Sequence, residues 1–225
     1  MRIALRLVFL NGSNSNSLKK DCSVMEWMND AVLRISEDGW YHGASVIDSC
    51  IIADVSEWMD RQLADGSFNA AGVGKGHRFH TDDSIRTDNI FWIPEWSDDK
   101  VISSLNVLVE SIRSGLNREL FAGLDSFEGH LALYPPGGFY RRHFDTFRDD
   151  DARKITFILY LNQSWELDDG GELRLYTDGQ SYVDIEPRAG TVVLFKSRDF
   201  AHEVLDARSP RRSFTGWFKV RKINP

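Results

Sequence analysis

Lys154-Ile-Thr-Phe-Ile-Leu-Tyr-Leu-Asn162 alternates two unlike sets of side chains. Successive residues of an extended chain point to opposite faces, so Ile155, Phe157, Leu159 and Leu161 share one side and Thr156, Ile158 and Tyr160 the other. The first set is wholly apolar and belongs in a core. The second sets Thr and Tyr among apolar residues, which suits the wall of a lined cavity; taken alone, the strand reads nearly as well as carrying a core tyrosine with a satisfied hydroxyl.

Working outward, the period of two continues on both sides. Strands are expected near 128–134, 139–145, 154–162, 171–177, 182–186, 191–197, 201–206 and 211–220. Pro135-Pro-Gly-Gly138, Asp168-Asp-Gly-Gly171, Thr177-Asp-Gly179 and Arg188-Ala-Gly190 supply the turns between them. Before Gly123 the apolar spacing becomes helical, with helices expected over 25–36, 52–63 and 99–116. Helices first and short strands afterwards point to an α+β fold, a jelly roll whose N-terminal helices pack on one outer face. Residues 24–225 read as a single domain, with helical support over 24–123 and a jelly-roll core over 124–222. Residues 1–23 read as a flexible leader. Arg6 interrupts the apolar start, and residues 11–17 are only Gly, Ser and Asn, which cannot bury enough surface to order a backbone.

The 225 residues carry a net charge of −7, which repels phosphate backbones and anionic bilayers, so neither nucleic acid nor a membrane is an expected partner. The two cysteines, Cys22 and Cys50, have no metal-type spacing and suit free thiols in a reducing, cytoplasmic setting.

Phe139-Tyr-Arg-Arg-His-Phe-Asp145 reads as a strand on which His143 and Asp145 project together. One further imidazole would complete a two-His, one-carboxylate facial triad, the arrangement that leaves open positions on Fe(II). His-x-Asp alone is a weak signal that also suits a surface strand. His202 follows the apolar run Thr191-Val-Val-Leu-Phe195 and is the expected third ligand. Nine residues later comes Arg211, and alternation puts it on one face with Ser213, Thr215 and Trp217. A guanidinium is the planar, bidentate partner that a dicarboxylate needs. Arg208, Arg211 and Arg212 could equally form a solvated basic cluster.

Together these residues resemble the Fe(II)- and 2-oxoglutarate-dependent dioxygenases of the prolyl hydroxylase type over about Ile85 to Phe218. The motifs are Tyr134-Pro135 with the following glycines, Tyr140-x-x-His143-x-Asp145, Tyr160-Leu-Asn162 with Trp165, Gly170-Gly-x-Leu-Arg174, Asp184-Ile-Glu-Pro187, His202-Glu-Val204, and Arg211 before Thr215 and Trp217. Ile85-Arg-x-Asp88 and Trp92 resemble the subgroup of the hypoxia-inducible-factor prolyl hydroxylases and, within it, their bacterial, Pseudomonas-type counterparts.

The resemblance implies a double-stranded β-helix with Fe(II) on His143, Asp145 and His202. It implies 2-oxoglutarate held by Arg211 and Tyr160, with Tyr134, Thr156, Leu173, Thr215 and Trp217 around it. O2 is the implied oxidant, ascorbate a stimulant, and succinate and carbon dioxide the co-products. Residues 76–88 would be a lid over a protein substrate that presents a proline, with Arg86, Asp88 and Trp217 near that substrate and Asp88 paired to Arg153. Elongation factor Tu is the substrate implied by the bacterial members, and oxygen sensing the role implied by the animal ones. His77 and His80 in the lid depart from the family pattern. The same chemistry on a lysyl residue or free amino acid, and a non-catalytic metal-dependent sensor, are the rival readings.

Overall fold

The computed structural model describes residues 27–74, 80–94, 97–146 and 151–221. The expected leader lies outside them. Helix α1 covers residues 27–37, α2 Ser49–Ala64 and α3 Lys100–Leu120. Strands β1 (Trp40–Gly43), β2 (Asn69–Ala70) and β3 (Asn89–Trp92) fall between the helices. Then follow β4 (Leu124–Tyr134), β5 (Tyr140–His143), β6 (Arg153–Tyr160), β7 (Leu173–Asp178), β8 (Ser181–Ile185), β9 (Val192–Lys196), β10 (His202–Val204) and β11 (Arg211–Val220).

A seven-stranded antiparallel sheet runs β1-β9-β6-β11-β4-β3-β2 and faces a four-stranded one, β5-β10-β7-β8. The alternation of β6 builds two cores at once. Ile155, Phe157 and Leu159 pack outward against Ile35, Met59, Leu105 and Ile112 of the three helices. Ile158 and Tyr160 point inward to Leu173, Leu175 and Val204 of the smaller sheet. The helices therefore cover one outer face of an α+β jelly roll, as the sequence predicts.

Asp99 caps α3 by accepting from the Val101 amide at 2.8 Å, and its other oxygen accepts from Trp58 Nε1 at 3.1 Å, which ties α2 to α3. Helix α3 runs four residues past its expected end to Leu120, where Phe121 turns left-handed with φ 51°. The segment expected as helical support, 24–123, also contributes three short strands: β1 pairs with β9, β3 with β4, and β2 with β3. These strands are two to four residues long, too short to display a period of two, and only their neighbours hold them extended.

Candidate metal and co-substrate site

The inner sheet faces bring the ligand set together. His202 on β10 stands directly opposite His143 on β5 in the antiparallel register, so residues far apart in sequence become neighbours. Strand β5 ends at His143, and Asp145 follows two residues later. The candidate ligand atoms of His143, Asp145 and His202 lie within 4.8 Å of one another. Asp145 Oδ1 is 3.7 Å from His143 Nε2, and Oδ2 is 3.5 Å from His202 Nε2.

Both imidazoles are turned for coordination. His143 Nδ1 donates to the Arg141 carbonyl at 2.8 Å, and His202 Nδ1 to that of Phe200 at 3.3 Å. A carbonyl only accepts, so each Nδ1 carries a proton and each Nε2 is turned toward the carboxylate. Tyr140 stacks on His143 at 3.6 Å and Phe195 meets the His202 ring at 4.8 Å, fixing both planes. Burial lowers the His202 imidazole to about 4, so it is neutral at physiological pH. Burial pushes the Asp145 carboxyl up, but His202, His143 and the Thr156 hydroxyl outweigh it and hold the group far below the usual carboxylate range. Two imidazoles and one carboxylate fit a divalent iron centre with open positions.

Arg211 is buried in the same cavity, and its Nε donates to the Gly171 carbonyl at 2.7 Å. Gly171 has φ +75°, and a Cβ there would come within 2.9 Å of Arg211 Cδ, so the glycine makes room for the cation. Tyr134, the register partner of Arg211 on β4, and Tyr160 lie 4.9 and 5.0 Å from the guanidinium. The Tyr160 hydroxyl is sealed from solvent and has no hydrogen-bond partner among the described residues. A buried guanidinium beside the Tyr160 hydroxyl is what a carboxylate of 2-oxoglutarate would satisfy.

Tyr134, Leu173, Arg211, Thr215 and Trp217 line a cavity of about 1240 Å³ that also contains His143, Asp145 and His202. Thr156 departs from its expected place in the apolar wall. Its hydroxyl donates to Asp145 Oδ2 at 2.7 Å, because β6 brings it under the carboxylate.

The expected Asp88–Arg153 pair is also corrected. Asp88 accepts a fork from Arg86 at 2.7 and 2.6 Å, and the Arg86 guanidinium lies 4.1 Å over the Tyr140 ring. Arg153 instead pairs with Glu128 at 2.8 Å and stacks 3.6 Å from the Trp217 ring. Glu128 sits on β4, the strand next to Trp217, and so intercepts the cation. His80 bridges to Val73, and His77 is outside the described residues.

Sequence reading missed His130. It lies on the inward face of β4, two residues from Ala132 and four from Tyr134, a spacing that could have marked it. Its ring sits 4.9 Å from Trp92 and 5.5 Å from Trp217, and its sealed Nδ1 has no partner among the described residues. Burial lowers this imidazole from 6.5 to about 4. The unfolded chain therefore binds a proton there that the fold refuses, and stability should fall as pH drops from about 6.5 toward 4. The expected slope is about 1.4 kcal/mol per pH unit for this residue. Urea titrations of metal-free wild type and His130→Leu should differ by that slope in this window and run parallel above it.

The 2OG-Fe(II) oxygenase superfamily model matches residues 129–219. Human prolyl hydroxylase EGLN3 is 31% identical over 183 residues, covering 77% of this chain and 73% of that protein. The chain belongs to the 2OG-Fe(II) oxygenases, among the prolyl hydroxylases. A hypoxia-inducible factor prolyl hydroxylase of Caenorhabditis elegans is 29% identical over 86% of this chain, which spans only 28% of that longer protein. The crystal structure of a Pseudomonas putida prolyl-4-hydroxylase superposes with a TM-score of 0.79 at 36% identity, covering 87% of this chain and all of the other. The oxygenase fold thus accounts for a His-Asp-His set at the smaller sheet facing a buried arginine on β11 of the larger one. Among the described residues no helix is long and apolar enough to cross a membrane.

Proposed function

We propose that this oxygenase hydroxylates a prolyl residue of a protein, with elongation factor Tu as the candidate target and the cytoplasm as the place of action. The observation that carries the reading is the juxtaposition, in one open cavity, of the triad, the Arg211 guanidinium and a wall that includes Trp217, His130, Trp92 and Arg86. A cavity of about 1240 Å³ holds more than the co-substrate and suits a peptide beside it. Prolyl chemistry is supported by the likeness to the Pseudomonas and human enzymes, and a protein target by the factor named for the nematode one. We read residues 24–225 as one oxygenase domain, and expect neither nucleic acid nor a membrane to take part.

In this reading His143, Asp145 and His202 hold Fe(II), and Arg211 and Tyr160 grip the far carboxylate of 2-oxoglutarate. Tyr134, Leu173 and Thr215 shape its chamber. Bound iron, 2-oxoglutarate and O2 supply the oxidising power, with succinate and carbon dioxide as co-products. The chain itself keeps His202 neutral and Asp145 ionised, excludes water with Leu173, Val204 and Ile158, and orients the co-substrate through one fixed cation. Arg86, locked to Asp88, braces Tyr140 against His143, so a continuous line of contacts joins the substrate-side wall to the metal ligand.

The test is incubation of purified elongation factor Tu, and in parallel a bacterial lysate, with Fe(II), 2-oxoglutarate, ascorbate and O2, followed by peptide mass analysis. A gain of one oxygen on a proline, dependent on 2-oxoglutarate, is expected. A gain on lysine, or on free amino acids only, would replace the prolyl assignment while leaving the oxygenase family intact.

A further inference from the structure

The Asp145 carboxylate can only accept hydrogen bonds, so the Thr156 hydroxyl, 2.7 Å from Oδ2, must spend its one proton there. Thr156 Oγ1 also lies 2.9 Å from Ser197 Oγ, and with its proton committed it must accept from the serine. Both hydroxyls are completely buried and Asp145 nearly so. The result is a one-way chain, Ser197 to Thr156 to Asp145, whose direction is set by the charge at its end. Strands β6 and β9 fix it, since Thr156 is the register partner of Phe195, two residues before Ser197.

We propose that Thr156, backed by Ser197, is a positioning residue that makes Asp145 offer a single oxygen to the metal. This rests on the triad reading above. Oδ2 is partly occupied by the threonine, which leaves Oδ1 as the freer donor and opposes rotation of the carboxylate into a two-oxygen grip. A carboxylate gripping with both oxygens would take up one of the positions that the co-substrate and oxygen require. Groups that orient ligands in this way typically contribute about 10–100-fold in metal affinity.

The test uses Mn(II) alone, without 2-oxoglutarate or substrate. Its dissociation constant is measured by titration calorimetry, and its bound waters by water-proton relaxation. Thr156→Val, which keeps the shape and deletes the donor, should weaken Mn(II) binding at least about tenfold and reduce the number of bound waters. Thr156→Ser should restore both. Ser197→Ala should weaken binding by a smaller factor, and it serves as the deciding variant if the valine protein does not fold. Unchanged affinity and water count in Thr156→Val, with or without a lower melting temperature, would overturn the proposal. So would unchanged values in Ser197→Ala when only that variant folds. Failure of wild type to bind Mn(II), or equal binding by His143→Ala, would instead overturn the triad reading.

Discussion

His202→Ala should abolish both metal binding and turnover. Neighbours of a metal ligand are worth about 10–100-fold in affinity, so loss of the ligand itself should exceed about a hundredfold. The effect is large because His202 is sealed between β5 and β7 and faces Asp145, so its removal takes one donor from a three-ligand set that no neighbouring strand can replace. Anaerobic addition of Fe(II) and 2-oxoglutarate to wild type should give a visible metal-to-ligand charge-transfer band, absent in His202→Ala and in His143→Ala. A full-strength band in either variant would remove that histidine from the ligand set. If wild type, with both components shown to be bound, gives no band, bidentate chelation is wrong and a non-catalytic sensor becomes the better reading.

Arg211→Lys is the second. It preserves the charge and deletes the fork. The ammonium can neither donate two parallel bonds to a carboxylate nor repeat the Nε bond to Gly171. Charged hydrogen bonds contribute about 1.5–3 kcal/mol, so the apparent KM for 2-oxoglutarate should rise about 10–100-fold. Succinate release measured against 2-oxoglutarate concentration checks this, with Mn(II) affinity as the control. An unchanged KM would mean that the co-substrate is anchored elsewhere. Tyr160→Phe should move KM in the same direction by a smaller factor, because it removes one neutral donor from the same carboxylate.

Much of this protein was legible as a one-dimensional pattern. The alternation in 154–162 set which side chains meet the helices and which meet the smaller sheet, because the period of an extended chain leaves no freedom about faces. His143, Asp145, His202 and Arg211 were singled out through the resemblance to the prolyl hydroxylases, because His-x-Asp alone is a weak signal and Arg211 suits a solvated basic cluster equally well. Only the tertiary structure decided how polar groups pair. Sequence distance says nothing about which of several carboxylates an arginine will reach, so Arg153 goes to Glu128 and Asp88 to Arg86. Thr156 looked like wall and became part of the support of Asp145, because a hydroxyl's partner is set by the strand that happens to lie above it. Strands β1 to β3 were hidden for a related reason: two to four residues carry no period, and they are extended only because β9 and β4 offer open edges. Periodicity is local and reports which face a residue takes; hydrogen-bond partnership is non-local and waits on the packing.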